Sequence, residues 1–194
     1  YKLKQELEDV VLSRQTSRKS RSKNEIKTVA FVGYTNAGKS STINSILNYI
    51  NGDTDKQVFV KDMLFATLDT SIRKVSYKGV EFLLSDTVGF VSNLPHELID
   101  AFHSTLESVV DANLILQVVD ESSEDRYEHM DVTQKTLKKL EVENTPMWIL
   151  HNKCDKSEFK KNEKEHFYIS AVNSIGLEEV LDAVVENIRK EYVV

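Results

Sequence analysis

Gly33-Tyr-Thr-Asn-Ala-Gly38-Lys39-Ser40 sets two glycines five positions apart and follows them with a lysine and a hydroxyl. Glycines let successive backbone N–H groups turn inward around an anion, and a helix opening at Lys39 would add its positive N-terminus. Lys39 would bridge the outer phosphates of a nucleoside triphosphate, and the Ser40 hydroxyl could ligate Mg²⁺. The candidate phosphate binders are therefore Gly33, Asn36, Ala37, Gly38, Lys39, Ser40 and Ser41. Farther along, Asp86-Thr-Val-Gly89 puts an acid at the end of an apolar run and a glycine three residues on. The acid suits a Mg²⁺-bound water, and Gly89 leaves its amide free to approach a terminal phosphate.

Asn152-Lys-Cys-Asp155 supplies the group that could read a base. A carboxylate at Asp155 can accept from both N1–H and the N2 amine of guanine, whereas adenine offers neither donor. Leaving such an acceptor unpaired costs enough to make the choice steep. Asn152 can tie this loop to the phosphate loop, the Lys153 stem can lie along the base, and Ser170-Ala171 can offer a backbone N–H to guanine O6. Cys154, at the variable site of that tetrapeptide, reads as a small packed thiol. Two readings stay open at Asn36: a residue chosen for turn geometry, or, by resemblance to phosphate loops with asparagine at this position, one beside which a potassium ion assists the phosphates.

These loops need strands and helices to hold them. Thr28–Val32 is a continuous apolar run that ends at Gly33, as expected of a strand buried on both faces. Similar runs stand at 80–85, 114–119, 147–150 and 167–169. Residues 70–77 and 80–85, joined by Lys78-Gly79, predict a hairpin and so one antiparallel edge strand. Leu177, Val180, Leu181, Val184, Val185 and Ile188 form one helical stripe, and Leu98, Phe102, Leu106 and Val109 mark another. Strands alternating with such helices predict an α/β chain with a mainly parallel sheet and helices on both faces. Leu3, Leu7, Val10 and Val11 predict a short N-terminal helix, and 13–24 read as a linker.

The chain has 194 residues, 40% hydrophobic, with a net charge of −6. That is enough for one sizeable core. No apolar run approaches the roughly 20 residues that cross a bilayer, which argues against membrane insertion. The single cysteine excludes a disulfide framework. The histidines suggest no ligand set, since His96 and His103 lie seven apart. Residues 1–27 hold eight Lys and Arg against four Asp and Glu, net +4, so the remainder carries −10. The basic arm could touch a phosphate backbone, while the acidic body has no bulk attraction for nucleic acid. The chain opens on Tyr1, so a longer protein is expected around it.

Taken together, Gly33–Ser40, Leu64-Phe-Ala-Thr-Leu-Asp69, Asp86-Thr-Val-Gly-Phe90, Leu94-Pro-His-Glu-Leu98 and Ala101-Phe-His-Ser-Thr-Leu-Glu107 resemble the translation-factor-type GTPases, and closely the HflX family. The resemblance covers residues 28–192. It implies a P-loop NTPase G domain over 26–194, with a six-stranded sheet. Residues 1–25 would be the end of a helical linker from a further N-terminal domain. It implies a Mg²⁺-dependent GTP hydrolase that binds GTP and GDP and associates with the large ribosomal subunit, through ribosomal RNA and proteins. The G domain would be a cytoplasmic monomer, or mitochondrial or plastid in a eukaryote. By position, Thr67 would be the switch I threonine that ligates Mg²⁺ with Ser40, with Asp86 acting through water. Lys39, Thr67 and Gly89 would carry catalysis; switch I would span 52–71 and switch II 86–97. Where many GTPases have a water-orienting glutamine, this chain has Phe90, which implies slow intrinsic turnover. The alternative is a GTP-dependent binding module with negligible turnover; an ATP-using protein is disfavoured by Asn152 to Asp155.

Overall fold

The computed structural model describes residues 26–52, 71–87, 89, 108–140, 142, 144–157 and 162–192. In chain order these form β1 (Lys27–Val32), α1 (Lys39–Asn51), β2 (Ser71–Tyr77), β3 (Val80–Asp86), β4 (Leu114–Asp120), α2 (Arg126–Lys139), β5 (Met147–Asn152), β6 (His166–Tyr168) and α3 (Leu177–Tyr192). The strands make one six-stranded sheet in the order β2-β3-β1-β4-β5-β6. β2 runs antiparallel to β3, and β1, β3, β4, β5 and β6 pair in parallel. Lys78 and Gly79 both take positive φ, 47° and 78°, the twist that a two-residue hairpin needs.

The unbroken apolar runs are explained by alternation. Val29 and Phe31 of β1 face a core with Ile43 and Ile46 of α1 and the stripe of α3, Leu177 to Ile188. Ala30 and Val32, one residue out of phase, face Ile115 and Leu137 on the opposite side. Helices therefore cover both faces. A buried Phe31 or Ile115 contributes about 1.5–3 kcal/mol over an exposed one, so both layers bind the sheet strongly.

Parallel pairing also aligns strand ends. Phe31 pairs with Asp86 and Asp120 with Asn152, so the carboxyl ends of β1, β3, β4 and β5 open on one edge. The strand order reverses around β1, and ligands of such sheets bind in the crevice beyond that point.

Some boundaries differ from the sequence expectation. β3 continues to Asp86 and β5 to Asn152, placing both polar residues inside strands where the register holds them. β2 starts at Ser71, and β6 is shifted to His166–Tyr168, with Ile169 just beyond it. The stripe reading does not mark α2, which buries only Thr133 and Leu137 and so shows little periodicity. The expected N-terminal helix and linker (1–25) lie outside the described residues, as do Leu98, Phe102 and Leu106. Among the described residues, no helix is long and apolar enough to cross a membrane.

Candidate functional site

The loop after β1 is shaped by backbone geometry. Gly38, at φ 97°, caps α1, and a Cβ there would strike the Asn152 amide. Asn36 also takes a left-handed φ of 60°, which asparagine tolerates better than most residues. The first turn of α1 holds no acidic residue, so the positive end of the helix stays unneutralised toward the loop. Thr42 is fully buried, and both its amide and its hydroxyl donate to the Gly38 carbonyl at 2.8 Å. Ser41 stands half-buried in the first turn.

Lys39 is buried, and its ammonium donates to the carbonyls of Gly33 and Tyr34, each at 3.2 Å. Burial pushes its pKa down to about 8, with Asp86 pulling the other way. A desolvated ammonium bonded to two carbonyl dipoles is poised for an anion that restores its solvation.

Beside it, the Ser40 hydroxyl donates to Asp86 Oδ2 at 2.6 Å. A hydroxyl and a carboxylate oxygen side by side form a hard-donor pair suited to Mg²⁺, which takes one or two protein oxygens and completes its shell with water and phosphate. Among the described residues no cluster of three or more His, Cys, Asp or Glu could cage a metal alone. Thr87 fixes the exit from β3 through a 2.6 Å bond to the Phe31 carbonyl. Gly89 is packed so closely that a Cβ would lie 2.9 Å from Thr35 Cα and 3.1 Å from the Lys39 ammonium. Only a glycine fits there, which brings its backbone up to the loop.

The base loop is joined to the phosphate loop as expected. The Asn152 side chain donates to the Ala37 carbonyl at 3.0 Å and accepts from the Ala171 amide at 3.1 Å, all buried. The bond from the Ala171 amide satisfies the buried Asn152 oxygen, which requires a donor. Ser170 is fully buried, and its hydroxyl accepts from the Asn173 amide at 3.3 Å. Asp155 lies exposed on a single 3₁₀ turn, Cys154–Lys156. Cys154 is buried; its amide donates to the Ile169 carbonyl at 3.1 Å, and burial, with Asp155 nearby, pushes its thiol pKa up. It is packing, as expected.

Sequence reading missed several neighbours. The Lys153 ammonium reaches Asp120 Oδ2 at 2.6 Å and the Asn36 carbonyl at 3.2 Å. Tyr34 stacks on His129, ring centroids 3.8 Å apart, tying the phosphate loop to α2. Behind the base loop, buried His151 meets Glu121 at 2.8 Å and His166 at 3.1 Å, and stacks on Tyr168. An acid at the end of the β4 run was the only available signal for Asp120. Thr67, Phe90, His96, His103 and most of both expected switches lie outside the described residues.

Residues 28–153 match the family model described as "50S ribosome-binding GTPase". A GTPase HflX from Caldanaerobacter subterraneus subsp. tengcongensis is 42% identical over 97% of this chain and 43% of its own length. The GTPase HflX of Escherichia coli K12 is 34% identical over 95% of this chain and 44% of its own length. The chain thus spans less than half of these relatives. Among solved structures, a GTP-binding protein from Sulfolobus solfataricus in complex with GDP is similar at TM-score 0.66 and 22% identity, over 97% of this chain and 57% of that one. Era in complex with MgGDPNP and nucleotides of 16S ribosomal RNA is similar at TM-score 0.65 and 22% identity, over 84% and 57%. At these identities the structural likeness establishes the P-loop G-domain fold.

Proposed function

The chain belongs to the HflX family of GTPases, and from that premise we propose that it is a G domain that binds GTP and GDP, hydrolyses GTP slowly, and couples its nucleotide state to association with the large ribosomal subunit. One observation carries the nucleotide reading. Asn152 bridges Ala37 and Ala171, joining the phosphate and base loops into one frame at the carboxyl edge of the sheet. In this reading Gly33, Asn36, Ala37, Gly38, Lys39, Ser40 and Ser41 line the phosphates. Asn152, Lys153, Asp155, Ser170 and Ala171 line the base, with Asp155 reading guanine from its exposed position.

Lys39 exchanges its two carbonyl partners for phosphate oxygens and places its charge where negative charge gathers during transfer. The amide of Gly89 approaches the terminal phosphate. Ser40 and Thr67 are the Mg²⁺ ligands, with Asp86 acting through water; bound there, the ion would neutralise phosphate charge. Asn36 is the residue beside which a potassium ion would sit. We assign 26–194 to this domain, acting as a monomer, and 1–25 to the end of a linker from a further domain. The ribosomal partner would place the protein in the cytoplasm.

Equilibrium binding tests the base site. The unmodified chain should prefer GDP to ADP by at least about 100-fold, and Asp155→Asn should lose most GDP affinity while gaining xanthosine diphosphate. Equal affinity for GDP and ADP would sink the assignment.

A further inference from the structure

Lys153 stands at a left-handed φ of 63°, and this bend sends its charged end back across the phosphate loop. Its ammonium donates to the Asn36 carbonyl, next to the Ala37 carbonyl that Asn152 holds. Two adjacent rungs thus join base loop to phosphate loop. The second rung has an anchor at its far end, since the same ammonium pairs with Asp120 at 2.6 Å. Asp120 is itself aimed: its other oxygen accepts from the Ser122 amide at 3.0 Å and the Ser122 hydroxyl at 2.6 Å. Rotating the carboxylate away from Lys153 would break two bonds. Burial alone would raise the Asp120 carboxyl, but the Lys153 and Ser122 bonds override it and hold the group below the usual carboxylate range.

We propose that Asp120 is a positioning residue for the guanine nucleotide, acting through Lys153: it fixes the ammonium on the Asn36 carbonyl and so fixes the Lys153 stem against the base. The proposal rests on the guanine reading above. Without the anion, the long lysine chain regains its rotamer freedom and the left-handed Asn36 loses its brace. The pair joins the base loop to the phosphate loop at the Asn36 carbonyl, a frame that GDP and GTP would share. Its loss should therefore weaken GDP and GTP alike. A charge-assisted bond in a pair only 20–24% exposed is worth on the order of tenfold in affinity.

The experiment is a double-mutant cycle on the 194-residue chain, read by fluorescent GDP and GTP equilibrium binding. Asp120→Asn, nearly isosteric, should weaken both nucleotides about tenfold. In a Lys153→Met background, which keeps the stem and removes the charge, Asp120→Asn should change affinity less than twofold. Ser122→Ala should give a smaller loss that also vanishes with Lys153→Met, and it carries the cycle if Asp120→Asn fails to fold. A tenfold loss that persists in the Lys153→Met background would show a merely structural role for Asp120 and overturn the proposal; no loss in either background would do the same. Equal affinity of the unmodified chain for GDP and ADP would overturn the guanine reading itself, whereas a retained GDP preference without the coupling overturns only this one.

Discussion

A buried lysine makes nucleotide binding visible in proton counts. Lys39 falls from the usual 10.5 to about 8 through burial, with Asp86 opposing. Between those two values the unfolded chain holds a proton that the folded, nucleotide-free chain has released. Stability from this group therefore rises with pH from about 8 to 10.5, and below 8 its burial cost is fully present. Phosphate oxygens reverse the shift by favouring the ammonium. Binding at pH 8.5 should then take up a substantial fraction of a proton. Calorimetry of GDP binding in two buffers of different ionisation enthalpy measures this directly. Lys39→Met should abolish the uptake together with most of the affinity. An unmodified chain whose proton count is zero at pH 8.5 would show that the lysine does not meet the phosphate.

At the scale of elements, the β4–β5 pair holds the base loop from behind. The Glu121 amide donates to the Asn152 carbonyl at 2.9 Å, and its buried carboxylate faces His151 Nδ1 at 2.8 Å, with Arg126 at 3.9 Å. Removing His151 takes a hydrogen-bond partner from that buried carboxylate, so His151→Leu should cost about 3 kcal/mol, a drop of roughly 10 °C in Tm. Pairing it with Glu121→Met removes the carboxylate as well and should recover most of the loss. Thermal unfolding of the three variants decides this; additive losses would mean that the two side chains do not act as a pair. The same pair shows where sequence reading stops. The phosphate loop, Asp86 to Gly89 and Asn152 to Asp155 are legible because each is contiguous and its residue types are dictated by local backbone and ligand chemistry. His151 and His166 are fifteen residues apart, and Asp120 and Lys153 thirty-three, joined only by the register of parallel strands. α2 stayed hidden for a related reason, since a helix that buries two residues leaves almost no stripe.

On the scale of the whole molecule, charge and length decide how the partner can be tested. Residues 1–27 carry +4 against −10 in the rest, so attraction to ribosomal RNA would come from that arm and weaken with salt. The chain spans less than half of its HflX relatives, so the longer protein must be assayed beside it. Phe90 can neither donate nor accept a hydrogen bond where a water-orienting group commonly stands, and one such group is worth on the order of 100-fold in rate. Large ribosomal subunits should supply that factor by fixing both switches around the terminal phosphate. Multiple-turnover phosphate release should rise about 100-fold for the longer protein and less for this chain, with the gain of this chain shrinking as salt increases. Run in potassium and sodium salts at equal ionic strength, the same assay should be faster in potassium if Asn36 helps to seat the ion, because general screening does not distinguish the two. Should neither protein respond to subunits at any salt concentration, turnover is not the signal, and nucleotide-dependent switch ordering alone would carry the function.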